Sequence, residues 1–435
     1  MKNNFPQNVH FVGIGGIGMS GLAKHLLKLG CTVCGSDRQE NIQTEKLRAL
    51  GAQICVPHCA KNVQNAQLLV RTSAVPTSNE EVQFALAHNI PVVLREQFLG
   101  QIFDSFPVRI AVCGTHGKTT VTAMVHHVLE RCGISHAAFI GGEYDGENYF
   151  FGTNAVVAEA CEYNRSFLNL HPTICLCLNC EFDHPDCYKN QAEVEQAFRT
   201  LFEQSQTVVL PSNQKYLWQN ACLFGEEGVS ARDIAVDECG RPHFSVWNNG
   251  EFFGKCKLKV CGKHNVQNAL AALSVAKLLN LPLLQALQAL ETFRGVDRRW
   301  TEQPCQMHVV CDYAHHPTEI AAAVKTAKDV CKGKLFCVFQ PHTYSRTKAF
   351  LPQFVSCFDG AETLVLLPVY PAREKPFEGA TSFQLYRLAK EKGKNAKYFA
   401  TFQRAADFLR RNVKENDLVL LVGAGDVNEL AQLLT

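Results

Sequence analysis

Residues 108–120 read Val-Arg-Ile-Ala-Val-Cys113, then Gly114-Thr115-His116-Gly117-Lys118-Thr119-Thr120. The first six have the apolar bias of a strand buried in a sheet. Beyond the loop, Val121, Met124, Val125, Val128 and Leu129 recur at helical spacing. Strand, glycine-rich turn and helix in this order form a phosphate-binding loop. Backbone N–H groups cradle the phosphates, Lys118 neutralises β and γ oxygens, and the Thr119 hydroxyl suits Mg2+. The usual eight-residue pattern has Gly where Val112 stands, so the loop is a shortened form. The bland alternative, a glycine turn with a surface lysine, does not account for the strand–loop–helix setting or the Lys-Thr pair.

Working outward, AVVAEACE ends in Glu159 and Glu162, and Asp183-His184 follow the run TICLCLNCEF. Both pairs fall at C-terminal ends of expected parallel strands, where open α/β sheets place their sites. Glu159 and His184 are therefore candidate metal ligands, or else ordinary polar strand ends. A second glycine loop, Gly13-Ile-Gly15-Gly16-Ile-Gly18, lies between a strand and a helix, with Asp37 ending the next strand. That pattern offers helix N–H groups to a diphosphate and a carboxylate to a ribose hydroxyl. Alone, it leaves open NAD, another nucleotide diphosphate or no ligand.

Further along, Gly262-Lys-His264-Asn265-Val-Gln-Asn268 opens an amphipathic helix. Its Asn and His side chains can cap the helix or meet a base edge, and the residues alone favour capping. Asp312-Tyr313-Ala-His315-His316-Pro-Thr318-Glu319 marks a strand-to-helix junction with Thr318 expected as N-cap. Gln340-Pro-His342-Thr343-Tyr-Ser-Arg346 follows another strand, and Arg346 can grip a carboxylate with two hydrogen bonds.

The 435 residues suggest roughly three domains. Strand–helix alternation predicts α/β units with parallel sheets over 1–107, 108–297 and 298–435. Short alternating runs between 222 and 260 predict antiparallel β in the middle one. With 46% apolar residues and a net charge of +2, the chain is neither disordered nor a dedicated nucleic-acid binder. No run of about 18 apolar residues suggests a membrane span, and the N-terminus lacks a signal-peptide core, so a cytoplasmic protein is expected. The 20 cysteines include CxxC spacings at 31–34 and 177–180. Cys175 and Cys177 nevertheless share one face of an apolar strand, and small buried hydrophobes are the better reading than zinc ligands.

Taken together, the chain resembles the Mur ligase family of cytoplasmic amino-acid-adding enzymes. The resemblance runs through GIGGIGMSGLA at 13–23, TSAV at 72–75, GTHGKTT at 114–120, EACE at 159–162 and DH at 183–184. It continues through GKHNVQN at 262–268, FRGVDRR at 293–299, DYAHHPTE at 312–319, QPHTYSRT at 340–347 and GAGD at 423–426. It implies an N-terminal Rossmann-like domain for a UDP-sugar, a central ATPase with a mixed sheet and a C-terminal Rossmann-like domain for the amino acid. The implied reaction is ATP-dependent ligation of L-alanine to UDP-N-acetylmuramate through an acyl phosphate. Gly13, Gly15, Gly16, Gly18, Asp37 and Ser73 would hold the UDP-sugar. The loop 114–120 with His264, Asn265, Asn268, Arg298 and Arg299 would hold ATP. Lys118, Glu159 and His184 would be catalytic, with Mg2+ on Thr119, Glu159 and His184. Tyr313, His315 and Arg346 would bind the amino acid.

Two departures stand out: Cys161 where relatives often carry Asp, and Thr343 where they often carry Arg. The absence of Lys from 195–205 favours the alanine-adding type over a sister ligase that attaches a preformed peptide. A nicotinamide-dependent oxidoreductase is the remote alternative, and a nucleotide-binding regulator without turnover is a further one.

Overall fold

The computed structural model describes residues 5–434. The chain divides into two compact units: 1–180 with 195–224 and 271–286, and 181–194 with 225–270 and 287–435. The fold is α/β throughout, as the alternation predicted.

The first unit contains two sheets. In one, strands Gln53–Cys55, Thr32–Ser36, Asn8–Val12, Leu68–Arg71 and Val92–Leu94 lie side by side in that order, all parallel. Parallel strands are covered by helices on both faces, so their residues are apolar in runs rather than in alternation. Val9, Phe11 and Val12 are accordingly all buried. Helix Ile17–Lys28 turns Met19, Leu22, Ala23 and Leu26 inward. Helix Ile42–Ala49 starts at Asn41, whose side chain accepts from the Gln43 and Thr44 N–H groups in a capping box.

In the other, Thr207–Pro211, Ile174–Cys177, Val108–Cys113, Ala155–Ala160, His136–Tyr144 and Glu147–Phe150 follow one another. The phosphate-loop strand thus has parallel neighbours on both sides, with Val112 opposite Glu159 and Leu176. Of these six strands only the last two pair antiparallel, and their register shifts between Phe139 and Tyr144. Cys113, Cys175 and Cys177 are fully buried, as expected of small hydrophobes, and among the described residues all cysteines are free of disulfides.

The second unit carries the expected antiparallel run, Val229–Val236, Pro242–Asn248 and Glu251–Lys257. Its other sheet orders Thr301–Glu302, His308–Asp312, Leu418–Val422, Leu335–Phe339, Thr363–Leu366 and Ala396–Tyr398. Only the two-residue edge strand is antiparallel. Leu418–Val422 sits centrally and is buried along its whole length. Helix Pro317–Val330 begins two residues earlier than expected. His316, not Thr318, is the N-cap, its ring accepting from the Thr318 N–H with Pro317 at the first helical position. Proline there needs no donor and pre-sets φ, which moves the start forward. Among the described residues no helix is long and apolar enough to cross a membrane.

Candidate active site

In the first unit the chain leaves strand Val108–Cys113 and turns at Gly114 into helix Lys118–Arg131. Gly117 is the N-cap at φ 80°, a left-handed conformation that costs a residue with Cβ roughly 1 kcal/mol or more. Asn179 clamps the loop. Its Oδ1 accepts from the His116 N–H at 2.8 Å, its Nδ2 donates to the His116 carbonyl at 3.1 Å, and its own carbonyl accepts from the Thr115 N–H at 3.2 Å.

Lys118 Nζ donates to the carbonyls of Gly114 (2.6 Å) and Thr115 (3.0 Å) and lies 2.9 Å from Glu162 Oε2. Burial opposes its charge, but Glu162, Cys161 and Glu159 outweigh that and hold the ammonium above the ordinary lysine range. Thr119 Oγ1 donates to Glu159 Oε2 at 2.8 Å. A hydroxyl and a carboxylate this close, beside a fixed ammonium, form a hard oxygen pair that suits Mg2+. The structure therefore brings Lys118, Thr119 and Glu159 together, and adds Glu162 and Asn179, which motif reading had not assigned.

The N-terminal glycine loop lies in the same unit. The Gly13 and Ile14 N–H groups both donate to the Ser36 carbonyl. Gly16 caps helix Ile17–Lys28, so the first-turn N–H groups lack helical acceptors. Asp37, expected at a ribose hydroxyl, spends one oxygen on the Gly15 N–H at 2.8 Å and the other on the Arg38 N–H at 2.7 Å. The carboxylate shapes the loop. Ser73 is exposed in the turn after Leu68–Arg71, next to Thr72, which abuts Gly13. A cleft of about 340 Å3 runs from Gly13, Gly16 and Gly18 past Arg95 to Glu159 and Cys161. Arg95 was missed by motif reading. Its signal was position alone, since it directly follows strand Val92–Leu94 at the end where sites gather.

In the second unit, Tyr313, His315 and Arg346 do converge. The Tyr313 and His315 rings are 5.6 Å apart, the His315 and His342 rings 6.0 Å, and Arg346 Nη1 is 3.2 Å from His342 Nδ1. The Arg346 fork, expected to be open to a carboxylate, is engaged with Asp183. Nε meets Oδ1 at 2.9 Å and Nη2 meets Oδ2 at 3.1 Å, with both side chains 4% exposed. Burial would raise the Asp183 carboxyl, but Arg346 and His184 hold it well below the usual carboxylate range. His184, at φ 54°, donates its backbone N–H to Asp183 Oδ1 at 2.7 Å. Burial pushes His315 down to about 4 and His342 down to about 3, so both rings are neutral at pH 7.

Arg298 and Arg299 flank Tyr313 with guanidinium carbons 4.8 and 5.1 Å from the ring centre. Arg298 also donates to the Gly425 carbonyl at 2.6 Å, and Arg299 lies 3.6 Å from Glu319. Helix His264–Leu278 carries the remaining three: His264 is exposed, Asn265 Nδ2 donates to the Cys261 carbonyl, and Asn268 Nδ2 donates to Asn265 Oδ1.

The family model "Mur ligase family, catalytic domain" matches residues 8–107, "Mur ligase middle domain" matches 112–276 and "Mur ligase, glutamate ligase domain" matches 298–425. The chain is 39% identical to the UDP-N-acetylmuramate–L-alanine ligase of Caldanaerobacter subterraneus subsp. tengcongensis, over 98% of this chain and 96% of that one. It is 38% identical to the ligase of the same name from Clostridium novyi, over 100% and 98%. Among solved structures it matches the UDP-N-acetylmuramate–alanine ligase of Thermotoga maritima with a TM-score of 0.83 and 32% identity, covering 98% and 97%. The murein peptide ligase of Psychrobacter arcticus shares the fold at a TM-score of 0.72 and 22% identity, over 99% and 98%. The chain belongs to the Mur ligase family.

Proposed function

We propose that this protein joins L-alanine to UDP-N-acetylmuramate at the expense of ATP, with Mg2+ as cofactor. The observation that carries the reading is the phosphate loop in which Lys118 and the Thr119–Glu159 pair meet at the end of a central strand. Such a loop serves phosphoryl transfer and has no place in hydride transfer. Full-length similarity to alanine-adding ligases supports the amino acid and the sugar nucleotide.

The sugar carboxylate attacks the γ-phosphorus of ATP, ADP leaves, and an acyl phosphate results. The alanine amine then attacks the acyl carbon, phosphate leaves, and an amide remains. Lys118 neutralises charge on the transferring phosphoryl group. Thr119 and Glu159 would hold Mg2+, which supplies further charge neutralisation when bound, and His184 would hold a second ion. The loop 114–120, His264, Asn265, Asn268, Arg298 and Arg299 hold ATP. Gly13, Gly15, Gly16, Gly18, Asp37 and Ser73 hold the UDP-sugar. Tyr313 and His315 receive the amino acid, with neutral His315 able to accept from its ammonium group, and Arg346, its fork closed on Asp183, holds that side of the pocket in place. The segments 1–107, 108–297 and 298–435 divide these three tasks.

The test is phosphate release from ATP, Mg2+, UDP-N-acetylmuramate and single amino acids. Release that requires every component and is fastest with L-alanine is expected. Turnover only with a preformed peptide would instead identify a sister ligase.

A further inference from the structure

A seam of buried polar groups in the first unit lies apart from the phosphate loop. Lys24, on helix Ile17–Lys28, is 3% exposed and Asn148, on strand Glu147–Phe150, is 1% exposed. Asn148 Oδ1 accepts from Lys24 Nζ at 2.7 Å. Its Nδ2 donates to the Ile17 carbonyl at 2.5 Å and to Ser20 Oγ at 2.9 Å. Lys24 also reaches Glu147 at 2.5 Å, and one residue on, His25 Nδ1 is 2.8 Å from the Tyr149 hydroxyl. Nearer the hairpin turn, Glu143 meets Gln43 and Lys46, and Lys46 donates to the Gly146 carbonyl at 2.5 Å.

Apolar side chains could fill such a contact without the desolvation cost of an amide and an ammonium. What the polar groups add is direction: they fit in one register only. Across the same hairpin, the irregular stretch of strand His136–Tyr144 opposite Asn148 touches the chemistry. A Cβ on Gly141 would sit 2.1 Å from Glu159 Oε2, so the hairpin backbone lies directly against the carboxylate. Asn148, Gly141 and Glu159 share the cleft with Gly13, Gly16 and Gly18.

We infer that Asn148 is a positioning residue for the sugar nucleotide, fixing the first turn of helix Ile17–Lys28 relative to Glu159. The inference rests on the reading that this helix start takes the diphosphate. A diphosphate held at one end of the cleft presents the sugar carboxylate to the phosphate loop only if the two ends keep their spacing. A misplacement of about 1 Å in such a site can cost a hundredfold in rate. Asn148 anchors the helix through the carbonyl of its first residue, beside the N–H groups that would meet the anion.

Calorimetric titration of the full chain with UDP-N-acetylmuramate and, separately, with Mg2+ and the ATP analogue AMP-PNP tests this. In Asn148→Ala the Kd for UDP-N-acetylmuramate should rise about tenfold or more, the loss of one buried hydrogen-bonded anchor, with AMP-PNP affinity unchanged within about twofold. Asn148→Asp keeps the volume and the Lys24 acceptor but removes the donor to Ile17, and should show the same split. It decides the matter should the alanine variant not fold. Equal weakening of both ligands would reduce Asn148 to a structural residue, and unchanged affinities would overturn its role altogether. Failure of the wild type to bind UDP-N-acetylmuramate would instead refute the reading of the glycine loop.

Discussion

Lys118 is held between two carbonyl oxygens and Glu162, so its ammonium needs no reorganisation before it meets phosphate. Lys118→Met keeps much of the volume and removes the cation that lies 2.9 Å from Glu162, a carboxylate only 3% exposed. ATP turnover should fall roughly a thousandfold or more in a protein that still folds. Phosphate release together with circular dichroism checks this, and near-normal turnover would refute the role. Arg346 differs, because its fork closes on buried Asp183. Arg346→Lys offers one point contact where two parallel bonds stood. We expect a loss of about 1.5–3 kcal/mol in urea unfolding, and a ten- to hundredfold rise in KM for L-alanine with KM for ATP little changed. An unchanged unfolding midpoint would mean that water or a neighbour satisfies Asp183 as well as the guanidinium does.

At the scale of elements, the irregular strand His136–Tyr144 brings Gly141 against Glu159. Gly141→Ala would put a methyl group where the carboxylate lies, and the cheapest relief is to swing the Glu159 side chain aside. That predicts a fall in kcat of tenfold or more with little change in melting temperature, measured by phosphate release across a Mg2+ titration. Partial recovery at high Mg2+ is expected, since a displaced ligand weakens metal affinity. An unchanged kcat would show that Glu159 has room to keep its place. This hairpin also shows where the sequence was silent. The strand Val108–Cys113, its loop and helix Lys118–Arg131 were legible because strand, glycine turn and apolar stripe are local signals, as was the buried run Leu418–Val422. The pairing of Asp183 with Arg346 spans 163 residues, and periodicity reports that an element is buried, not which distant element it meets. The same holds for Asn179 on the phosphate loop and for Asn148 on Ile17: each is one polar residue in an otherwise ordinary segment.

Across the whole molecule, histidines buried in both units tie stability to pH. His25 is fully buried and its pKa is pushed down to about 4 by burial; His126, 2% exposed and 2.7 Å from His136, is pushed down to about 3 by burial and then by His136. His315 and His342 of the second unit are lowered in the same way. Unfolded histidines take up protons below about pH 6.5, whereas these folded ones resist until pH 3–4. Between those limits the unfolded state binds more protons, so stability present at neutral pH is lost as pH falls through 6.5. Each such group adds about 1.4 kcal/mol per pH unit to the slope, and His25 with His126 together about 3 kcal/mol per unit. Glu81, held down near 2 by its hydrogen bonds from His10, Ser36 and Cys59 against the cost of burial, adds a loss of the same sign below about pH 4.5. Urea unfolding at pH 7, 6 and 5 should therefore show a steep decline rather than a plateau. His25→Gln removes one titrating group while keeping a polar partner for the Tyr149 hydroxyl, so its slope between pH 6 and 5 should be shallower by one proton, about 1.4 kcal/mol per unit, whatever its stability at pH 7. An identical slope in the variant would mean that the His25 ring takes up its proton in the folded protein as readily as in the unfolded chain.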